Sequence, residues 1–230
     1  MATSGVKLLG VPPSPFVNRV QISLNLKSVD YELIPENPHC KSELLLKYNP
    51  VNKKIPVLVH DDKPICESLI IVQYIDDTWT SSSPSILPSD PHDRAIARFW
   101  ASYIDDKWFP LLKQLQDAEG EEAKAATVGK ITEGVVLLEE AFAKCSKGKA
   151  FFGGDSIGYV DIALGSCMGW VKAVEKIANF KILDETKTPA LCQWAGTFLA
   201  DKAVKDVILA PEKLIELFMM MQAQQKPASN

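Results

Sequence analysis

The sequence predicts two domains: a small α/β domain of order βαβ, α, ββα, and behind it an all-helical domain. Three observations carry this reading. Up to Trp79, short apolar runs alternate with stretches whose apolar residues recur every three or four positions, the signatures of strand and helix. Between Thr80 and Pro91 the sequence TSSSPSILPSDP packs three prolines and five serines into twelve residues, which cannot continue a helix and makes a poor strand. From His92 onward every periodic segment reads as helix. The expected boundaries are 1–79 for the first domain, 80–91 for a linker and 92–230 for the second, a length that suits two small domains.

The elements follow in order. Val6 to Leu9 is an apolar run and the first strand. It breaks at Pro12-Pro13, and Ser14-Pro15 opens a helix to about Lys27 with Val17, Val20 and Leu24 on one face. Serine is a preferred N-cap, and proline suits the first turn because its missing N–H would be unpaired there anyway. Ser28 to Ile34 reads as the second strand. Ser42 caps a short helix to Tyr48, stopped by Asn49-Pro50. Val57–Val59 and Ile65-Cys66 flank the polar turn His60-Asp61-Asp62-Lys63 as a hairpin. Ser68 to Trp79 is helical, with Leu69, Val72 and Ile75 on one face. In the second domain Arg94 to about Gln116 and Ala123 to Cys145 read as long helices, and others begin near Gly158, Thr188 and Glu212. The tail Gln224 to Asn230 is polar.

Composition excludes several classes. With 25 basic and 29 acidic residues the net charge is −4, which argues against nucleic acid or an anionic membrane as partner. No apolar run approaches the roughly 18 residues that span a bilayer, and the MATSG start lacks the features of a signal peptide, so a soluble cytosolic protein is expected. The five cysteines are scattered and form no CxxC pair, as expected of reduced thiols. His39, His60 and His92 are far apart, give no metal spacing, and each reads as a solvated loop residue.

A few residues carry possible chemistry, each beside a plainer reading. Ser14 either caps its helix or aims a hydroxyl and free N–H groups at an anion or thiolate. Glu67-Ser68 is either an N-cap with an acidic neighbour or a pair of groups for an ammonium and a carboxylate. Arg19, about one helical turn after Ser14, either adds positive potential there or, the plainer reading, serves in a solvent-exposed or interface ion pair. Asp161 fits a capping arrangement at Gly158, with Ile157 packing on Ile162. Its expected role is in folding.

Four motifs in order then carry a resemblance: Ser14-Pro15-Phe16; Leu46-Lys-Tyr-Asn-Pro50 with Lys53-Lys-Ile-Pro56; Glu67-Ser68; and Gly153 to Asp161, GGDSIGYVD. With the proline-rich linker, the chain resembles the cytosolic glutathione transferases, most closely the plant tau class. The resemblance implies a thioredoxin-like α/β domain (βαβαββα) followed by an all-α helical bundle. It implies an enzyme that adds glutathione, as co-substrate and with no prosthetic group or metal, to hydrophobic electrophiles in detoxification and stress response, with hydroperoxide reduction as a second activity.

By the same resemblance Ser14 donates to the glutathione sulfur, and Lys41 and Lys54 meet its glycyl carboxylate. Ile55, before a cis Pro56, pairs with the cysteinyl backbone, and Glu67 and Ser68 take the γ-glutamyl end. Pro12, Phe16, Phe109, Lys113, Trp170, Leu217 and Met221 wall the electrophile pocket. The partner implied is a second copy or a close paralogue, with Asp77, Arg94 and Arg98 pairing across the two-fold axis and Asp105 reaching glutathione on the neighbouring subunit. Two rivals are a non-catalytic carrier of apolar ligands between the domains and a thiol oxidoreductase. The latter needs cysteine where Ser14 stands.

Overall fold

The computed structural model describes residues 5–37, 40–81 and 84–225, with side chains through residue 220. Four strands form one mixed sheet in the order β2-β1-β3-β4. β1 (Val6–Gly10) runs parallel to β2 (Glu32–Pro35) across the helix α1 (Pro15–Leu26), and antiparallel to β3 (Val57–His60), which turns back into β4 (Lys63–Cys66). Leu8 pairs with both Leu33 and Leu58. Strand alternation therefore sends Val6, Leu8 and Leu58 to one face, where α1 and α3 (Ser68–Thr78) supply Val17, Val20, Leu24, Ile71 and Ile75. Leu9, Val57 and Val59 point the other way, against Leu45 of α2 (Glu43–Tyr48). Both faces are covered, which is why these strands read as nearly continuous apolar runs.

The second half is helical: α4 (Pro91–Tyr103), α5 (Pro110–Asp117), α6 (Glu121–Ser146), α7 (Tyr159–Gly165), α8 (Met168–Ala178), α9 (Pro189–Ala200) and α10 (Pro211–Gln225). Its core centres on Trp108, Leu138, Trp194 and Phe198. Ile22 of α1 and Val72 of α3 belong to the same cluster, so apolar packing runs without a break from the sheet's helices into the bundle. Among the described residues no helix is long and apolar enough to cross a membrane.

Asp161 is fully buried and accepts N–H groups from Phe152 (2.8 Å), Gly153 (2.9 Å), Gly158 (2.9 Å) and the indole of Trp194 (2.7 Å). The expected cap is thus one corner of a carboxylate that ties the 152–158 turn to α9. A second buried carboxylate orders the linker. Asp76 pairs with Lys27 at 2.9 Å and accepts from the backbone of Ile86 (2.8 Å) and Leu87 (2.9 Å) and from Ser85 Oγ (3.0 Å). Burial alone raises its pKa, but these donors outweigh burial and hold the carboxyl below its ordinary value.

Three sequence expectations need correction. The second strand begins at Glu32; before it Ser28, at φ 54°, and Val29 N–H bonded to Leu24 O (2.9 Å) close α1. The helix expected from Arg94 to Gln116 is interrupted by a π-helical turn, Ile104–Trp108, in which Phe109 N–H reaches Ile104 O at 2.8 Å. Pro110 is the cause: it has no N–H for the carbonyl four residues back, and the wider turn absorbs the defect. The helix expected to begin near Gly158 does begin there, with Gly158 as its N-cap; it ends at Ser166, and α8 follows. Lastly, His60 ends β3 half-buried, its Nδ1 2.8 Å from Tyr74 Oη and its ring stacked obliquely near Trp79. His92 is exposed on the first turn of α4, and His39 lies outside the described residues.

Candidate active site

Ser14 stands where β1 passes into α1. Its φ and ψ are −78° and 118°, extended as an N-cap requires, and its Oγ accepts from Val17 N at 3.4 Å. The loop before it is closed by Ser14 N–H bonding Val11 O at 3.1 Å. Buried Asn18 turns its amide nitrogen to the carbonyls of Pro12 (2.9 Å) and Ser14 (3.2 Å), fixing the loop from below. Gly10 allows that approach, since a Cβ there would sit 2.7 Å from both methyls of Val17.

Two adjoining hollows open beside the serine. One, about 260 Å³, is lined by Ser14, Phe16, Glu36, Lys41, Lys54 and Ile55. The other, about 160 Å³, is lined by Asn49, Lys54, Ile55, Pro56, Glu67 and Ser68, with Phe16 common to both. The sequence-predicted residues Ser14, Lys41, Lys54, Ile55, Glu67 and Ser68 are thus gathered on two connected hollows. The Ile55–Pro56 bond is cis. Lys41 and Lys54 are exposed at the rim, and Ser68 is buried as the first residue of α3. Glu67 sits at φ 70°, a region non-glycine residues seldom occupy, and Asn52 Nδ2 holds its carboxylate at 2.7 Å.

Residues the sequence reading passed over complete this wall. Buried Asn49 donates to Lys54 O (2.9 Å) and accepts from Asn52 N (3.0 Å), so it shapes the loop that presents Lys54 and Ile55. Buried Glu36 accepts from Ser42 Oγ at 2.6 Å and anchors α2 behind Lys41. In sequence Asn49 signals a helix stop and Glu36 is one more acid; their partners lie at positions no local pattern names.

Arg19 is the largest correction. It is 0% exposed, and its ion pair, with Asp105, lies within the chain. Its guanidinium binds both Asp105 oxygens (2.6 and 2.8 Å), Ala163 O (3.0 Å), Ser166 Oγ (3.1 Å) and Ser68 Oγ (3.3 Å). Asp105, expected at the neighbouring subunit's ligand, gives both oxygens to Arg19 of its own chain. Asp105 lies in the π turn Ile104–Trp108. Arg98 and Arg94 likewise bond within the chain, to Gln73 Oε1 (2.7 Å) and Pro88 O (2.8 Å), while Asp77 is exposed.

On the open side, Phe16 meets Phe109 edge to face at 6.3 Å. Trp170 of α8 donates to Pro13 O at 2.8 Å beside exposed Pro12, and meets Phe218 at 6.4 Å. Half-buried Leu217 neighbours Phe218 on α10. Lys113, expected on this wall, is exposed on α5 and pairs with Asp117. The side chain of Met221 lies outside the described residues.

Known proteins match this arrangement over nearly the whole chain. A family model for the glutathione S-transferase N-terminal domain matches residues 4–77, and one for the C-terminal domain matches residues 99–202. The chain belongs to the glutathione S-transferase family. Within it the chain stands with the tau class. It is 60% identical over 216 residues to glutathione S-transferase U17 of Arabidopsis thaliana, covering 94% of this chain and 95% of that one. A tau class glutathione S-transferase structure from mango, Mangifera indica, is 60% identical with a TM-score of 0.93, covering 96% and 100% of the two chains. A rice glutathione S-transferase solved in complex with glutathione is 33% identical, with a TM-score of 0.87 over 96% and 97%.

Proposed function

We propose that the protein is a transferase that conjugates the thiolate of glutathione to hydrophobic electrophiles, with Ser14 as the catalytic residue. The observation that carries this reading is the Ser14 hydroxyl on a hollow walled by the Ile55 residue of a cis X-Pro bond, next to a second hollow that ends at Ser68 on a helix N-terminus. Ser14 donates to the glutathione sulfur. A free thiol titrates near 8.5, so only about 3% is thiolate at pH 7, and a donor at a helix N-terminus raises that share. Ser14 is not itself a nucleophile, because no base among the described residues touches its oxygen. Positioning supplies the rest of the rate.

Lys41 and Lys54 take the glycyl carboxylate, Ile55 the cysteinyl backbone, and Glu67 and Ser68 the γ-glutamyl ammonium and carboxylate. Asp105 acts on the last of these through Arg19. Pro12, Phe16, Phe109, Trp170, Leu217 and Met221 form the electrophile wall. Residues 1–79 form the glutathione domain and 92–230 the helical one. The chain works in the cytosol as a homodimer, or paired with a close paralogue, with Asp77, Arg94 and Arg98 at the interface. Detoxification and hydroperoxide reduction both follow from a stabilised thiolate.

The test is conjugation of chlorodinitrobenzene by wild type and Ser14→Ala. The variant should lose about a hundredfold in kcat/KM, the share usual for one donor to a developing or resident anion. Its pH profile should move toward that of the free thiol. Equal rates and profiles in the two proteins would refute the role of Ser14.

A further inference from the structure

The loop that carries Ser14 can do little to hold itself. Pro12, Pro13 and Pro15 have no N–H. Of residues 12 to 15 only Ser14 donates from its backbone, and that N–H closes onto Val11 O at 3.1 Å. The carbonyls of Pro12, Pro13 and Ser14 all take donors from outside the loop. Pro13 O accepts the indole N–H of Trp170 at 2.8 Å. Pro12 O and Ser14 O, on either side of it, accept from a single side-chain amide, that of Asn18, at 2.9 and 3.2 Å. Ser14 O also takes the Asn18 backbone N–H at 3.0 Å. The peptide before Ser14 is thus pinned by Trp170 and the peptide after it by Asn18.

Asn18 is 4% exposed and sits inside α1. Asparagine is a poorer helix former than leucine, and burying an amide costs free energy unless its groups are bonded. The nearly isosteric leucine would suit both the helix and the burial better. What asparagine adds at this position is the pair of bonds to the loop.

Those bonds bear on the reactive hydroxyl. Ser14 Oγ accepts from Val17 N at 3.4 Å, long for a hydrogen bond, so the cap holds the oxygen only loosely and leaves its proton free to donate. Its place is then set by the backbone from which it hangs. A misplacement of about 1 Å in a reacting group can cost about a hundredfold in rate.

We propose that Asn18 is a positioning residue for conjugation, holding the Ser14 backbone so that its hydroxyl reaches the glutathione sulfur; this rests on the reading of Ser14 as the donor to that sulfur. The test follows kcat/KM for chlorodinitrobenzene, and the ultraviolet absorbance of the bound thiolate, against pH in wild type, Ser14→Ala, Asn18→Leu and Asn18→Ala. Leucine keeps the volume and removes both bonds, while alanine leaves room for water to take them over. Asn18→Leu should raise the midpoint of both titrations by about 1 pH toward the free thiol, and so lower the rate about tenfold below it. Asn18→Ala should move the midpoint the same way and by less. S-methylglutathione, which has no ionisable thiol, should bind wild type and both Asn18 variants equally. A midpoint raised in Ser14→Ala and unmoved in both Asn18 variants overturns the proposal and leaves the role of Ser14 standing. A midpoint unmoved in Ser14→Ala as well overturns that role and this one with it. Loss of S-methylglutathione binding in step with the thiolate also overturns the proposal, because Asn18 would then shape the whole cleft and not the donor alone. If Asn18→Leu does not fold, Asn18→Ala decides by itself.

Discussion

Replacing Asp105 by alanine tests the Arg19 junction most sharply. Asp105 contributes both charge-assisted bonds to a guanidinium that is 0% exposed, leaving Ser68, Ser166 and the Ala163 carbonyl as neutral acceptors. An unpaired buried charge costs about 3–5 kcal/mol, and because the Asp105 side chain is 24% exposed, water relieves some of it, which puts the loss near 3 kcal/mol. At about 2–4 °C per kcal/mol for a chain of this size, the melting temperature should fall by about 6–12 °C. Arg19 also donates to Ser68 Oγ. Its displacement should therefore raise the KM for glutathione more than it lowers kcat. The double variant Arg19→Met, Asp105→Leu removes both charges and should recover most of the stability but not the KM, since the donor to Ser68 is gone. Thermal unfolding and steady-state kinetics on wild type, Arg19→Met, Asp105→Leu and the double variant close the cycle. A fall of less than about 2 °C in Asp105→Ala, or additive losses in the double variant, would refute the account of a desolvated, coupled pair.

Three further expectations follow from buried groups. Gly165→Ala places a Cβ 2.2 Å from two ring carbons of Phe198, which is itself stacked on Trp194 at 5.5 Å and cannot turn away; a loss of about 1–3 kcal/mol in the unfolding free energy measured in urea is expected. Asp161→Asn sets an amide NH₂ against N–H donors that now share a carboxylate, and unfolding in urea should show a loss of about 3–5 kcal/mol, much more than an exposed cap would cost. Asp76 titrates lower in the folded chain than its ordinary value, so its stabilisation is complete above about pH 3.9 and is lost as pH falls through the depressed native pKa. The stability gap between wild type and Asp76→Asn, measured by urea unfolding from pH 7 to pH 3, should therefore narrow on acidification; a constant gap would count against the buried pair.

Most of the framework was legible in the sequence because it rests on local periodicity. Val17, Val20 and Leu24 repeat at helical spacing and do pack on the sheet, and Ser14-Pro15 and Ser42 mark helix starts that the backbone adopts. Part of what escaped was set by residues distant in sequence. Arg19 looks like an ordinary charge on an amphipathic helix, yet its acceptors stand 49, 86, 144 and 147 residues away. Nothing within a helical turn of it signals burial. Asn49 and Glu36 escaped for another reason: their partners Lys54, Asn52 and Ser42 lie only three to six residues away, in irregular loops whose bonding no periodic pattern marks. Pro110 was visible but lay inside a strong apolar repeat, and the helix answered it with a π turn instead of an end.

These misses are connected. Asp105 lies in the π turn and binds Arg19, and Arg19 touches Ser68 from behind, so a helix defect in the second half of the chain supports the back wall of a hollow in the first. The four motifs mark the side chains that face the ligand. The groups that hold those side chains in place are fixed by tertiary packing, and their identities become readable only once the two halves are docked.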